Sequence, residues 1–169
     1  SVLRSGEKVD LATRESIRQA MIDLKKYLNS DLVFFLNVHS REEALQEMVQ
    51  KIDKQGYLHH LKEFYQAILE REKIVSTSIG MGVAIPHAKL PTYDDFFIAI
   101  AIVKQGIEWD AMDQMPIRLI FMIGGPDDKQ TEYLQILSCV TLAIKDDERR
   151  KKLLNCHSAN ELIAHLEGF

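Results

Sequence analysis

The stretches FFIAIAIV at residues 96–103 and IRLIFMI at residues 117–123 decide the fold of this 169-residue chain. Both are apolar at nearly every position and rich in β-branched residues, which is typical of strands covered on both faces. Upstream, LVFFL at residues 32–36 is short, rich in strand-forming residues and bounded by polar ones, so it predicts another strand. We therefore predict an α/β fold whose sheet carries helices on both faces.

Segments with helical patterns precede and follow these strands along the chain, as expected for a sheet with helices on both faces. Apolar residues at helical spacing predict helices over 13–29, 41–55, about 61–71, a stretch that includes 133–144 and two short segments near the C-terminus. The sequences SREE at residues 40–43 and SANE at residues 158–161 are capping boxes, each of which opens a helix.

Composition limits the class of protein. A formal net charge of −4 disfavours a general nucleic-acid binder, and 46% hydrophobic residues suffice for one core. The two cysteines suggest no disulfide framework, and Cys139 falls in a helical apolar pattern typical of a buried thiol. No apolar run approaches the ~20 residues of a membrane span. We expect a soluble cytoplasmic protein that neither inserts into a membrane nor binds nucleic acid.

The main chemical candidate lies in STSIGMGVAIPHAK at residues 76–89. Pro86 fixes its own φ and keeps the residue before it extended, so the backbone that leads to His87 is stiff. Arg71, sixteen residues upstream, supplies a permanent cation. A nucleophilic nitrogen, glycines that permit close approach and a guanidinium are the groups that a phosphohistidine site needs.

Alternatives remain for this segment. Gly80-Met81-Gly82 lacks the third glycine of a dinucleotide fingerprint and the Gly-Lys-Ser/Thr of a nucleotide P-loop. By itself it predicts a hairpin turn, which can also present backbone amides to an anion. His87 alone could equally be an exposed histidine after a strand, and only its neighbours favour a site.

The remaining titratable residues predict no second site. The two histidines near the C-terminus are eight residues apart, which is not a zinc-binding spacing, so no metal site and no cofactor are expected. Trp109 is interpreted as a packing residue. We expect solvated side chains for the other five histidines, His39, His59, His60, His157 and His165.

Residues 67–90, AILEREKIVSTSIGMGVAIPHAKL, closely resemble the enzyme IIA domain of the bacterial phosphoenolpyruvate:sugar phosphotransferase system, fructose/mannitol class. Among these domains the chain is most similar to the nitrogen-regulatory form. The resemblance implies a three-layer α/β/α sandwich around a small mixed sheet. It covers residues 22–169, the expected enzyme IIA type-2 domain, and leaves residues 1–21 as an N-terminal extension that is helical or partly disordered.

The resemblance also implies a phosphotransferase role. By analogy, His87 accepts a phosphoryl group from the small histidine phosphocarrier and passes it on, and Arg71 contacts the phosphorylated ring. Aliphatic residues such as Val83 and Ile85 would form a low-polarity docking rim. The phosphate pocket would be walled by Thr77, Ser78, Gly80 and Gly82.

One position departs from the family pattern. Many members carry a second active-site histidine near the start of the helix that follows the second long strand, where Tyr133 stands here. A tyrosine can donate a hydrogen bond to phosphate but stays neutral at pH 7, so it supplies no imidazolium charge. Phosphoryl uptake or donor specificity is therefore expected to differ.

Three functions are open at this point. The first is a regulatory phosphocarrier whose phosphorylation state controls a target protein, favoured because no membrane permease domain is attached. The second is a sugar-specific intermediate that passes phosphate to a separate permease component. The third is an anion-binding or protein-interaction module that is never phosphorylated, which intact His87 and Arg71 disfavour.

Overall fold

The computed structural model describes residues 22–169, in which six strands form one mixed sheet. Residues 13–21 of the helix predicted over 13–29, and the whole expected N-terminal extension 1–21, lie outside the described residues. The strands are β1 (Val33–Phe35), β2 (Ser78–Gly80), β3 (Val83–Ala84), β4 (His87–Lys89), β5 (Phe97–Ile107) and β6 (Ile117–Gly125).

The two long apolar stretches are the central strands, as predicted. β5 runs antiparallel to β6 and parallel to β1. On its other edge β6 pairs in parallel with β3 and then with β4, and β2 closes that side as the antiparallel partner of β3. The sheet is therefore mixed, and three of its four short strands lie on one side of β6, whereas β1 pairs with β5.

Five α-helices within residues 22–169 cover the sheet, none with the length and apolar character of a membrane span. The capping box at the first is present, since Ser40 Oγ accepts the Glu43 N–H at 3.1 Å and the Glu43 carboxylate accepts the His39 N–H at 2.8 Å. The helices are α1 (Arg41–Lys54), α2 (Leu61–Ile74), α3 (Gln130–Lys145), α4 (Asp147–Leu154) and α5 (Ala159–Ala164).

The predicted helix through residue 29 is wrong for its described part. Leu24–Tyr27 and Ser30–Leu32 are separate 3₁₀ turns. Asp23 and Asn29 each accept a hydrogen bond from the backbone N–H two residues onward, at 3.0 and 2.9 Å. These local side-chain bonds compete with helical backbone bonds and divide the segment into short turns.

Side chains along the central strands point alternately to the two faces of the sheet, and each face packs against helices to form a hydrophobic core. Ala99 and Ala101 point to the layer of α1 and α2, whereas Ile98 and Ile100 point to the layer of α3, α4 and α5. Because both faces are covered, the strands are apolar at almost every position. The three-layer α/β/α sandwich is confirmed.

Close packing at the end of β6 positions the strand that begins with His87. β4 pairs with β6 so that Ala88 lies opposite Gly124. A Cβ at Gly124 would lie 2.4 Å from Phe97 Cζ and 2.7 Å from Phe64 Cε2. The absence of a side chain here lets the two rings pack against the sheet under β4.

This packing makes a testable prediction. We expect Gly124→Ala to lower the free energy of unfolding by about 1–3 kcal/mol, because the added methyl group overpacks two buried rings. The measurement is chemical denaturation, with Ser138→Ala on the exposed face of α3 as the control, expected within about 0.5 kcal/mol of the parent. Equal stabilities for the two variants would contradict the packing argument.

Candidate functional site

The last turn of α2 and the first residue of β4 bring Arg71 and His87 together. Arg71 Nε donates a hydrogen bond to His87 Nε2 at 3.2 Å, and Arg71 Nη1 donates to the Val75 carbonyl at 2.9 Å. The second bond ties the guanidinium to the segment that follows the helix. Both side chains are half-buried, so the pair is held by structure and open to solvent.

These contacts determine the tautomer of His87. A guanidinium only donates hydrogen bonds, so Nε2 must present its lone pair to Arg71. The ring proton then resides on Nδ1, which lies 3.1 Å from the Ile85 carbonyl oxygen and donates to it. In the neutral ring, Nε2 is thus the nitrogen with the available lone pair, and that lone pair points at a cation.

Electrostatics keeps the ring neutral. Burial lowers the pKa of His87 below its ordinary value near 6.5, and the positive charges of Arg71 and Lys89 lower it further. The hydrogen bond to the Ile85 carbonyl raises this pKa; its influence is smaller than that of burial but larger than that of either positive charge. Neutral imidazole is therefore the dominant form at neutral pH.

A pocket of about 410 Å³ contains the Arg71–His87 pair. Thr77, Ser78 and Tyr133, all predicted at the site, line it together with Ser76, Ile79, Ile85, Leu137 and Thr141. The two glycines predicted as pocket walls are not among its lining residues.

Those glycines serve the hairpin between β2 and β3. Gly80, Met81 and Gly82 have φ of +85°, +60° and +74°, a run of left-handed conformations that glycine tolerates best. A Cβ at Gly82 would also lie 3.2 Å from the Pro116 carbonyl oxygen. Turn geometry accounts for both glycines.

Thr77 lines the pocket, but its hydroxyl is already engaged. It donates to the buried carboxylate of Glu72, which also accepts the Thr77 backbone N–H at 3.3 Å. Sequence reasoning missed Glu72. Glu72 follows Phe64 and Ile68 at intervals of four residues and so lies on the buried face of α2. A carboxylate at a position that the helical pattern predicts to be buried could have identified it from the sequence.

Tyr133 on α3 packs beside the His87 ring. The ring centroids of Tyr133 and His87 are 5.3 Å apart, and burial raises the pKa of the phenol to about 12, so it remains protonated. Lys89 places Nζ 4.2 Å from the Tyr133 ring centroid and donates to Gln130 Oε1 at 2.7 Å. Lys89, also missed by sequence reasoning, gives this end of the site a second cation.

The other predicted single residues have structural roles or lie elsewhere. Val83 and Ile85 are both buried, so neither forms an exposed docking rim. Cys139 and Trp109 are buried, as predicted. Four of the five other histidines are exposed and His165 is half-buried, and none of these five lines the pocket around His87.

The family follows from a comparison that covers this whole architecture. The family model for the phosphoenolpyruvate-dependent sugar phosphotransferase system, EIIA 2, matches residues 26–168. The chain belongs to this family. The match spans both helical layers and the sheet between them, and it confirms the resemblance drawn from residues 67–90.

Relatives of this EIIA 2 domain carry two kinds of name. The fructose-specific EIIABC component of Bacillus subtilis is 36% identical over 130 residues, which are 76% of this chain and 20% of that protein. A nitrogen regulatory protein of Bradyrhizobium diazoefficiens is 30% identical over 131 residues, covering 78% of this chain and 85% of that protein. The chain thus spans about a fifth of the first relative and most of the second.

A solved structure supports the same fold. Nitrogen regulatory protein IIA-Ntr from Neisseria meningitidis superposes on this EIIA 2 domain with a TM-score of 0.79 at 26% identity. The superposition covers 85% of this chain and 98% of that one.

The lowered pKa of His87 makes a prediction about pH. The folded protein holds this proton less tightly than the unfolded chain, so the contribution to stability is complete above pH ~6.5 and decreases as the pH falls toward the folded pKa. In an NMR titration we expect the His87 midpoint below 6.5 and a higher one in Arg71→Gln, because a nearby positive charge is removed. His87→Gln assigns the resonance. A wild-type midpoint at or above 6.5 would contradict this electrostatic account.

Proposed function

We propose that this chain is a cytoplasmic phosphohistidine carrier that accepts a phosphoryl group on His87 Nε2 from a small histidine phosphocarrier and acts as a regulatory component. The observation that carries the proposal is the Nε2 lone pair of a neutral imidazole facing the Arg71 guanidinium at 3.2 Å. Family membership supports a phosphotransferase component. The phosphohistidine itself is the part that requires experiment.

The geometry supports a simple transfer step. Nε2 attacks the phosphorus in line with the donor nitrogen, so the new N–P bond forms as the donor N–P bond breaks and the donor imidazole leaves neutral. The His87 proton stays on Nδ1, against the Ile85 carbonyl. Such transfers pass through loose transition states, which makes positioning and charge stabilisation the main contributions of the protein.

Arg71 has two successive tasks in this mechanism. Before transfer its Nε–H orients the nucleophile, and on transfer the guanidinium turns from Nε2 to the phosphoryl oxygens. Two unit charges about 4 Å apart attract by about 4 kcal/mol at an effective dielectric near 20, before the cost of desolvation. Lys89 can swing from Gln130 toward the same group, which offsets the missing charge of a second histidine.

The surface beside the pocket supports a protein as the phosphoryl donor. Four large apolar side chains are exposed on or next to segments that line it, and exposed apolar surface of this kind marks protein contacts. They are Ile74 (78% exposed), Val75 (60%), Leu134 (51%) and Ile79 (39%). This cluster takes the place of the rim that was predicted around Val83.

Phosphorylation would act as a switch at this surface. It adds a charge of about −1.5 to −2 next to exposed apolar side chains. A partner that binds the protein with neutral His87 would then be repelled by the phosphorylated form, or a partner would bind only the phosphorylated form. The regulatory role is supported by the nitrogen regulatory relative, whose length the match covers to 85%. In this role the phosphocarrier supplies the phosphoryl group, and a regulatory target protein binds the chain according to its phosphorylation state.

A sugar-specific intermediate is the second candidate. It is favoured by the 36% identity to the fructose-specific component. The two functions separate in a chase experiment with phosphorylated protein. Rapid transfer to a purified fructose- or mannitol-type IIB domain supports the intermediate, whereas persistence of the phosphate together with state-dependent capture of a regulatory target supports the switch.

The first prediction concerns the phosphorylated atom. Incubation with phosphoenolpyruvate, enzyme I and the small phosphocarrier is expected to label the protein with one acid-labile, alkali-stable phosphate. His87→Gln is expected to remove the label, because it removes the nucleophile and keeps a similar size. His59→Gln, an exposed histidine outside the pocket, is the control and should label normally. Label that persists in His87→Gln, or its absence in the parent, would exclude the proposed carrier.

The second prediction concerns Tyr133. We expect Tyr133→Phe to slow phosphoryl transfer about 10-fold, because the variant loses one hydrogen bond of ~1.4 kcal/mol to the transferring phosphoryl group. Tyr133→His keeps a donor and gains a titratable charge, so its transfer rate should exceed that of Tyr133→Phe and increase as the pH falls. Tyr65→Phe, which lies on α2 against the other core, is the control. Identical rates for all three variants would remove Tyr133 from the mechanism.

A further inference from the structure

A group of side chains that could bind a metal ion lies near the C-terminus, separate from the pocket around His87. It comprises Cys156, Glu161 and His165, each of which offers one ligand atom. The thiol sulfur, a carboxylate oxygen and a ring nitrogen all lie within 4.8 Å of one another. None of these residues lines the pocket around His87.

The local fold brings the three together. Glu161 and His165 are four residues apart on α5 and its C-terminal cap, so they share one face of the helix. Cys156 precedes the capping box and turns its sulfur toward the Lys152 carbonyl at 3.1 Å. The Glu161 carboxylate also accepts the His157 N–H at 3.1 Å through Oε2, which holds it over the turn.

Burial differs across the cluster in a way that suits a metal site open on one side. Cys156 is fully buried against the core of the α3–α5 layer, His165 is half-buried and Glu161 is exposed. The sulfur therefore lies at the closed end and the carboxylate at the mouth. A cation could enter from solvent and meet the thiol at the inner end.

The donor set selects the class of metal. A soft thiolate with an imidazole and one carboxylate suits Zn²⁺, whereas Mg²⁺ and Ca²⁺ prefer oxygen ligands alone. Tetrahedral Zn²⁺ with bonds of 2.0–2.3 Å needs ligand atoms roughly 3.5 Å apart. Atoms already within 4.8 Å reach that spacing through small side-chain rotations.

We propose that Cys156, Glu161 and His165 form a Zn²⁺ site with three protein ligands and a fourth position open to water. On binding, the Cys156 S–H bond breaks, its proton leaves to solvent, and the Zn–S bond replaces the hydrogen bond to Lys152. Glu161 coordinates through the oxygen that does not cap His157, so the helix start stays intact. Occupancy ties both ends of α5 to the turn before it.

The test is zinc binding to the full chain in competition with a chromophoric chelator. One equivalent is expected to bind the parent, and His165→Gln and Glu161→Gln should each lower the affinity at least ~10-fold. Glutamine at position 161 can still accept the His157 N–H, so loss of binding there is not loss of the helix cap. His157→Gln is the matched control among neighbouring histidines, and His87→Gln excludes binding at the phosphorylation site. Affinity unchanged in His165→Gln and Glu161→Gln, or no bound equivalent in the parent, would overturn the proposal.

Cobalt provides a second measurement that identifies the sulfur ligand. Co²⁺ in place of Zn²⁺ is expected to give a thiolate-to-metal charge-transfer absorption in the parent and in Cys139→Ser. The same band should be absent in Cys156→Ser, whose fold is checked by circular dichroism. Cys139 and Cys156 are both buried, so Cys139→Ser is a matched control for Cys156→Ser. A band lost only in Cys156→Ser identifies the Cys156 sulfur as the ligand and excludes an effect of removing any buried thiol. A band that survives Cys156→Ser would assign the metal elsewhere and overturn the site.

Discussion

The hydrogen bond from Arg71 Nε to His87 Nε2 is the constraint on which the site depends. It requires the last turn of α2 to end beside the first residue of β4. Glu72, the next residue of the helix, binds Thr77 through its buried carboxylate and so anchors the chain between these elements. On the far side, β4 is held in register by β6, where Gly124 leaves room for packed rings.

The same contact reconciles two requirements that ordinarily conflict. In the proposed transfer the nucleophilic imidazole must be neutral, yet the phosphoryl group is an anion and needs cations nearby. Burial and the charges of Arg71 and Lys89 both disfavour imidazolium, and the two positive charges that lower the pKa of His87 would also attract the proposed phosphoryl group. Tyr133 adds a phenol that stays protonated, and it shares α3 with the stripe that fills the second core.

Much of the fold and part of the site could be predicted from local sequence. The strands over 96–103 and 117–123 followed from apolar runs whose physical cause, burial on both faces, operates along the chain itself. His87 and Arg71 followed from Pro86 and from a specific family motif around residues 67–90. The two glycines form the left-handed turn and are not among the residues that line the pocket, because sequence shows that a turn needs left-handed residues but not which way its amides point.

The sequence by itself determined the layers of the sandwich, the candidate imidazole and the family, because periodicity, turn chemistry and a contiguous motif are local properties. Only the tertiary structure decided which groups meet across the chain: Lys89 against Tyr133, and His165 with Cys156 and Glu161 rather than with His157. These meetings depend on the register of β4 on β6 and on the turn between α4 and α5. Such geometry arises when separate elements pack, and apart from the four-residue spacing of Glu161 and His165, no spacing in the sequence encodes it.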